Sequence, residues 1–236
     1  RCTRKFDSMS ASERIADLIA TMTLEEKVAQ LICIGRTSEA EWLRGSGGEP
    51  SVEAIVERYP DGFGQLGRPS QKLPPTEAAA FTTALQESLS AKGNAIGALF
   101  NEEGVHGHMA AGGTHFPAAI ALASSWDVDL VEQVYAAVAR EVRARGSNYV
   151  YAPVLDLARD PRWGRICEGS GEDAWFGSRV AEAMVKGYQG ADLAAPNTLM
   201  ACIKHFALYG GAMGGRDYNT VDMSKLTMTE DYFPPY

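Results

Sequence analysis

The chain has 236 residues, a length typical of one large domain or two small ones. Hydrophobic residues make up 45% of the sequence and charged residues 22%, which excludes an intrinsically disordered chain. Twenty-two basic and thirty acidic side chains give a net charge of −8. This acidic balance argues against nucleic acid or an anionic membrane surface as a partner, because both select basic surfaces. No apolar stretch approaches the ~20 residues that a membrane-spanning helix requires.

Two capping boxes predict the first two helices. In each box, Ser10 with Glu13 and Thr23 with Glu26, a hydroxyl and a carboxylate three residues later satisfy free backbone donors at a helix start. The apolar face predicted for the first helix comprises Ile15, Leu18, Ile19 and Met22. The apolar face predicted for the second helix comprises Val28, Leu31 and Ile32.

Apolar periodicity predicts the later helices. Residues 128–145 carry an apolar side chain at every fourth position from Leu130, Asp127 can cap the start, and Gly146 can end the helix. The other segments with a helical pattern are residues 51–59, 75–91 and 173–188, and a stretch that begins near Ser224. A polar, glycine-rich surface loop is predicted at residues 37–50.

Four short apolar runs between these helices are predicted to be strands: residues 62–67, 96–101, 148–155 and 199–206. Strands that alternate with helices favour a parallel sheet, so the predicted fold class is α/β. Four such units make roughly the first half of a (β/α)₈ barrel, an incomplete TIM-type barrel, or a complete small doubly wound sheet. Because the chain stops at a Pro-Pro step directly after a helical pattern, we expect residues 1–236 to be a single partial domain, truncated at its C-terminal end.

The four cysteines carry little information about function. They are scattered along the chain, with no C-x-x-C pair and no zinc-type spacing to histidine. We predict that Cys2, Cys33, Cys167 and Cys202 are buried free thiols, with a disulfide as the alternative.

A glycine run at residues 62–67 fits the dinucleotide fingerprint G-x-G-x-x-G, and Glu87 follows at the expected distance. That motif needs a strand before the glycines and a helix N-terminus directly after them, to hold the pyrophosphate. Here a charged helical segment precedes the run, and Arg68-Pro69-Ser70 follows it. We therefore favour glycines in a tight strand over a nucleotide site.

Histidines and glycines follow the second predicted strand. His106 and His108, with a neighbouring carboxylate, have donor types that could bind a metal, but no complete ligand set is apparent. Gly104 and Gly107 indicate a loop at the end of the strand. In a barrel the active site lies at the carboxyl ends of the strands, so a carboxylate at this position favours a substrate contact.

Charged residues also follow the last two predicted strands. The three arginines within residues 159–165 could bind phosphate, but flanking acids neutralise them, which favours ion pairs within the loop. Lys204 and His205 lie within an apolar strand, where charge is costly to bury without a partner. Neighbouring strands would bring Glu103, Arg165 and the Lys204-His205 pair towards one rim. Such a set of acceptors and forked donors suits a polyhydroxylated ligand.

At these residues the chain resembles the N-terminal barrel of the family 3 glycoside hydrolases, the group that holds β-glucosidases and β-xylosidases. The matching stretches follow one another along nearly the whole chain. They are MTLEEKVAQL (22–31), EEGVHGH (102–108), THFPAAIALASSWD (114–127), APVLDLARDPRWGRICEGSGED (152–173), KGYQG (186–190), ACIKHFALYGG (201–211), GGRDYN (214–219) and the closing PPY.

The resemblance implies a role for five residues. Glu103 matches the carboxylate that grips the hydroxyls of the terminal, non-reducing sugar, and Arg165, Lys204 and His205 match the basic residues around that sugar. Arg216 matches an arginine that some members direct towards the leaving group. The resemblance implies no metal and no cofactor.

The resemblance also implies retaining hydrolysis, which needs two carboxylates ~5–5.5 Å apart. The family's nucleophile is an aspartate in a Ser-Asp-Trp-type motif, and its acid/base usually lies in a second domain. Neither can be placed in this chain, so both are expected beyond residue 236 and no catalytic residue is predicted here.

Substrate choice is the least determined feature. The absence of histidine from residues 206–219 argues against the N-acetylhexosaminidase branch. Glu103 is one methylene longer than aspartate, which would crowd a 6-hydroxymethyl group and favour xylose by about 1–3 kcal/mol. We expect a β-glucosidase acting on β-linked oligosaccharides or aryl glycosides. A β-xylosidase and a non-catalytic sugar-binding or structural fragment are the alternatives. The resemblance favours export or the periplasm.

Overall fold

The structure is a computed structural model that describes residues 9–35, 51–94 and 96–236. The loop predicted at residues 37–50 and Cys2 lie outside the described residues. Contacts divide the chain into two compact units. The first unit comprises Arg1–Gly67 and Ala80–Leu99, and the second comprises Arg68–Ala79 and Phe100–Tyr236.

Helices and short strands alternate along the chain. The helices are α1 Ala11–Thr21, α2 Leu24–Ala29, α3 Val52–Arg58, α4 Pro75–Ser90, α5 Ala119–Ala123, α6 Val128–Ala144, α7 Ala174–Gln189 and α8 Lys225–Thr227, which a π-helical turn, Met228–Tyr232, follows directly. The strands are β1 Cys33–Gly35, β2 Gln65–Gly67, β3 Leu99–Glu102, β4 Tyr149–Val150 and β5 Met200–Ala201. The α/β class is therefore confirmed, and the four helices predicted between residues 51 and 189 agree with the structure to within one residue at each end.

The capping boxes set the two N-terminal helices of the first unit. Glu13 N donates to Ser10 Oγ at 3.3 Å, and Glu26 N donates to Thr23 Oγ1 at 3.1 Å. The apolar face predicted for α1 is present in the sequence, but Ile15 stays exposed. No residue within α1 is buried among the described part of the chain.

The first unit contains a strand that the sequence pattern did not predict. Leu31 and Ile32 prolong the apolar pattern of α2, but the helix ends at Ala29 and β1 starts four residues later. β1 pairs in parallel with β2, where Ile34 lies opposite Leu66, and both side chains are buried. Residues 9–35, 51–94 and 96–236 thus contain five strands where four were predicted.

Close packing explains the glycine run before β2. Gly64 N donates to the carbonyls of Ala29 at 3.0 Å and Ile32 at 3.1 Å, and a Cβ at this position would collide with the carbonyl of Gln30. Gly62 adopts a positive φ of 81°, which favours glycine. Gly64 therefore lets two segments of backbone approach each other directly before β2, whereas the prediction placed the whole run in a strand, which starts only at Gln65.

In the second unit β4 pairs in parallel with both β3 and β5. Val150 lies opposite Glu102 on one side and Ala201 on the other, so the residues that follow the three strands leave the sheet at the same edge. Beyond the regular strands, Val154 still forms a parallel bridge with Lys204. This edge carries the side chains of the candidate site.

Helix α6 buries most of the predicted face, because Val138 and Val142 are fully buried and Val134 packs against the core. A four-residue repeat drifts around a helix of 3.6 residues per turn, and Leu130, at the start of the repeat, is exposed. The buried face follows the helical repeat instead: Val131, Tyr135, Val138, Ala139 and Val142. This face packs against α7 and, with Val150 and Leu199, forms the core of the second unit.

Cys167 and Cys202 are free thiols, as predicted, but none of the three described cysteines is buried. Cys33 and Cys167 are exposed, and Cys202 is half-buried. No helix in the described ranges combines the length and hydropathy needed to cross a membrane.

Candidate functional site

Two buried tyrosines hold the segment that follows β3. Tyr188 Oη donates to the carbonyl of Gly104 at 2.8 Å, and Tyr135 Oη donates to the carbonyl of Val105 at 2.8 Å. Burial raises the pKa of both phenols, so both remain protonated donors at neutral pH. A Cβ on Gly104 would collide with the side chain of Val150, so only glycine allows this close approach. The core therefore fixes the backbone immediately after Glu103.

The Glu103 carboxylate lies between two cations. Its Oε2 accepts from Lys204 Nζ at 3.1 Å and its Oε1 accepts from Arg68 Nη2 at 3.0 Å. The Lys204 side chain is only 13% exposed and that of Glu103 21%, whereas that of Arg68 is 46% exposed. Sequence reasoning missed Arg68, for which the only signal was a charged residue directly after a predicted strand. The better shielded pair, Glu103–Lys204, is the stronger of the two.

A buried polar network lies beside Glu103 and holds the segment that carries Arg68. Glu102 Oε1 accepts from Ser70 N at 2.8 Å and from Ser70 Oγ at 2.6 Å, and Ser70 Oγ lies 3.0 Å from His108 Nε2. Glu102, Ser70 and His108 are all fully buried. The network ties residues 68–70 to β3 and thereby sets the position of the Arg68 guanidinium next to Glu103.

The histidines considered as metal ligands have other surroundings. His108 faces Ser70 and Glu102 inside the buried network. Across the described ranges, no group of three or more His, Cys, Asp or Glu side chains has an arrangement that could hold a metal ion.

Arg165 is held by Glu168 in a bidentate ion pair. Arg165 Nε and Nη2 donate to the two carboxylate oxygens at 2.7 Å each, and Nη1 donates to Tyr209 Oη at 3.4 Å. Burial raises the pKa of Glu168, but the hydrogen bonds from Arg165 and the charges of Arg165 and Lys204 outweigh it, so the pKa is lowered overall. Glu168 therefore stays ionised and joins Arg165 electrostatically to the Lys204-His205 pair.

His205 is oriented by a buried carboxylate. His205 Nδ1 lies 2.8 Å from Asp156 Oδ2, which also accepts from His205 N at 3.1 Å, and Tyr236 Oη donates to Asp156 Oδ1 at 3.2 Å. His205 Nε2 lies 3.5 Å from Arg165 Nη2. Because a guanidinium has only donors, the contact with Arg165 assigns Nε2 as the acceptor and Nδ1 as the nitrogen that donates to Asp156. Asp156 is therefore part of the candidate site. In the sequence, the only indication of this role is that an acidic residue directly follows an apolar predicted strand.

The structure thus brings together four of the five predicted residues. Glu103 contacts Lys204, Arg165 contacts His205, and the two pairs are joined through the Lys204–His205 peptide bond, which is cis. Arg216 is exposed, and within the described part of the chain no hydrogen bond or ion pair joins its side chain to the other four. We call the set Glu103, Arg165, Lys204 and His205 the charged cluster.

The other arginines of the 159–165 loop form ion pairs. Arg162 pairs with Asp160 at 2.7 Å, and Arg159 pairs with Asp231 at 2.8 Å. The sequence predicts pairing within the loop for most of these charges. Arg162 and Arg165 pair with nearby acids as predicted, whereas the partner of Arg159 is the distant Asp231. Neither of these two ion pairs includes a member of the charged cluster.

Carboxylate oxygens, a guanidinium, an ammonium and an imidazole converge where β3, β4 and β5 end. In α/β domains with parallel strands, the carboxyl ends of the strands form the edge at which ligands bind. The charged side chains of this chain lie at that edge. The family described as "Glycosyl hydrolase family 3 N terminal domain" matches residues 23–236. The chain belongs to this family, which confirms the incomplete barrel and rules out the small doubly wound sheet.

Known relatives cover nearly all of this chain. A periplasmic beta-glucosidase of Salmonella typhimurium is 37% identical over 94% of the chain, which spans 26% of that protein. A putative beta-xylosidase of Formosa agariphila is 32% identical over 97% of the chain, which spans 31% of that protein. The beta-glucosidase of Listeria innocua, solved in complex with glucose, is 32% identical over 96% of the chain with a TM-score of 0.78, and the chain spans 31% of it. The chain therefore corresponds to less than a third of the length of each of these proteins.

Proposed function

We propose that the complete protein carrying this chain hydrolyses terminal, non-reducing β-D-glucosyl residues with retention of configuration. In this proposal Glu103, Arg165, Lys204 and His205 bind the terminal sugar, and Arg216 lies towards the leaving group. The observation that carries the proposal is the 3.1 Å contact between Glu103 and Lys204, beside the Arg165–His205 contact at 3.5 Å. Residues 101 positions apart in the chain meet there, at the sheet edge where ligands of this fold class bind.

The chemistry of the charged cluster fits a pyranose. Each sugar hydroxyl can donate one hydrogen bond and accept others, so a ring with adjacent hydroxyls is best held by a carboxylate acceptor beside cationic donors. Glu103 provides the acceptor, Lys204 and Arg165 provide donors, and His205 presents Nε2 on the same side as Arg165. The glucose complex of the Listeria innocua relative supports this ligand class.

The two catalytic carboxylates are proposed to lie outside residues 1–236. Glu103 and Glu168 are engaged in ion pairs, Glu102 is enclosed by Ser70 and His108, and Asp156 is occupied by His205. A nucleophile must reach the anomeric carbon, and its partner must protonate the leaving oxygen ~5–5.5 Å away. The carboxylates of the charged cluster and its surroundings are better suited to holding side chains and hydroxyls than to this role.

The direct test is the activity of the complete protein. We expect hydrolysis of 4-nitrophenyl β-D-glucoside and release of β-glucose as the first product, followed by NMR spectroscopy, with no action on the α-glucoside. Activity on the α-anomer, or α-glucose as the first product, would contradict the retaining β-glucosidase.

The alternative substrate is a β-xyloside, and the length of Glu103 favours it. Replacing Glu103 by aspartate withdraws the carboxylate by one methylene and makes room for a 6-hydroxymethyl group. We expect E103D in the complete protein to raise the ratio of kcat/KM for the β-glucoside over that for the β-xyloside by about 10-fold. An unchanged ratio would mean that Glu103 does not lie near C5 of the sugar. If the wild-type protein has a higher kcat/KM for the β-xyloside than for the β-glucoside, the proposed activity is that of a β-xylosidase and not of a β-glucosidase.

A second alternative is that residues 1–236 act by themselves as a non-catalytic fragment. We expect the isolated chain to hydrolyse neither glycoside and to self-associate, because large apolar side chains, including Leu24, Leu31 and Phe206, are exposed. Light scattering and binding of a hydrophobic dye measure the association. A monomeric isolated chain with inhibitor-sensitive glycosidase activity would contradict this prediction and place the catalytic carboxylates within it.

A further inference from the structure

An exposed tyrosine stands on an anchored turn beside the charged cluster. Tyr218 is 84% exposed, and its φ of 61° lies in the left-handed region, which bulky residues rarely adopt. The preceding side chain, Asp217, accepts from Nε1 of the buried Trp163 at 3.0 Å. Hydrogen bonds from Tyr209 and Trp163 lower the pKa of Asp217, so this anchor stays ionised. The core therefore holds the turn while its largest side chain remains in solvent, and such strained positions concentrate at functional sites.

Two successive ring contacts connect Tyr218 to the charged cluster, one tilted and one edge-to-face. The ring centroids of Tyr218 and Tyr209 are 5.6 Å apart, with an interplanar angle of 37°. The Tyr209 ring lies 5.0 Å from the ring of His205, and the Arg165 guanidinium carbon lies 5.3 Å from its centroid. Tyr218 is thus one ring removed from two members of the cluster, at the margin of the proposed sugar site.

We infer that Tyr218 is the platform of a subsite for the group attached to the terminal sugar, namely the next sugar unit or an aryl aglycone. The inference rests on the proposed function and adds the position of the reducing-side group. Carbohydrate rings and aryl groups present apolar faces, and an exposed aromatic ring binds such faces without needing a charge. The exposed Trp126 also has a positive φ, 58°, but its ring packs on Phe176 at 4.3 Å, and among the described residues it has no ring contact with the cluster.

The test separates substrates that fill this subsite from one that does not. Cellobiose and laminaribiose place a second glucose there, whereas β-D-glucosyl fluoride has a leaving group too small to reach the ring. In the complete protein, Y218A should lower kcat/KM for the disaccharides by about 3- to 10-fold and change that for the fluoride by less than about twofold. Y218F keeps the ring and should retain disaccharide activity to within about twofold. W126A is the matched exposed aromatic, and it should leave both substrates unchanged.

Each other outcome overturns the inference. If Y218A lowers both substrate types equally or neither, the ring does not contact the attached group. If Y218F loses as much as Y218A, the hydroxyl and not the ring is responsible. If the wild-type protein is active on the fluoride but the variants show no selective loss, the platform fails and the proposed function stands. If the wild-type protein is inactive on both substrate types, the proposed function itself fails, and the subsite with it.

Discussion

Replacing Lys204 by methionine in the complete protein should lower kcat/KM for an aryl β-glucoside by about 30-fold or more. Methionine keeps the length and the apolar stem but removes the ammonium that pairs with Glu103 at 3.1 Å. The Lys204 side chain is only 13% exposed, so water cannot replace the lost partner and the carboxylate is left with the more exposed Arg68. The variant would thus lose both a donor to the sugar and the partner that sets the position of Glu103.

Lys186 provides the matched control. Its Nζ pairs with Glu182 at 2.6 Å, a shorter contact than that of Lys204, but its side chain is 59% exposed on α7. Because exposed pairs are screened by solvent, K186M should leave kcat/KM within about twofold of wild type. Thermal denaturation of both variants shows whether the fold is kept. If K204M is folded and as active as K186M, Lys204 does not bind substrate.

The helices could be predicted because their signals are local. The capping residues Ser10 and Thr23 lie three positions from their carboxylate partners, and the start and end of α6 are marked by Asp127 and Gly146. Strand β1 was missed for the same reason, because Leu31 and Ile32 continue the pattern of the preceding helix and only the pairing of Ile34 with Leu66 distinguishes the strand.

The composition of the charged cluster could be predicted only in part. The resemblance identified Glu103, Arg165, Lys204 and His205 residue by residue, whereas the partners that orient them have no local signature. Asp156 and His205 lie 49 positions apart, and Arg68 and Glu103 lie 35 apart. Charge, hydropathy and spacing predict the secondary structure of a segment, but they do not predict which distant segment it contacts. The ion pairs between loops at this sheet edge could therefore be identified only from the structure.

Asp156 shows what such a hidden partner contributes, and D156N should lower kcat/KM for the aryl β-glucoside by about 30-fold or more in the complete protein. Asp156 Oδ2 accepts from both N and Nδ1 of His205, so an asparagine has to keep its oxygen there and turn its NH2 towards Tyr236 Oη. The ring is then held by a neutral amide in place of a carboxylate, which weakens its hydrogen bond opposite the Arg165 guanidinium, 3.5 Å from Nε2. We expect the His205 ring to lose its fixed orientation in the cluster. The variant should therefore lose much of its kcat/KM while its melting temperature falls only slightly.

A double-mutant cycle distinguishes this positioning role from general loss of stability. If Asp156 acts through His205, the D156N change should cost little once His205 is already alanine, so the two effects should be far from additive. D192N makes the same chemical change at an exposed aspartate whose Oδ1 accepts from Ala194 N, a bond that asparagine retains, and it should be silent. Additive losses in the cycle would mean that Asp156 supports the barrel in general. In that case the orientation of His205 would have to come from Arg165 alone.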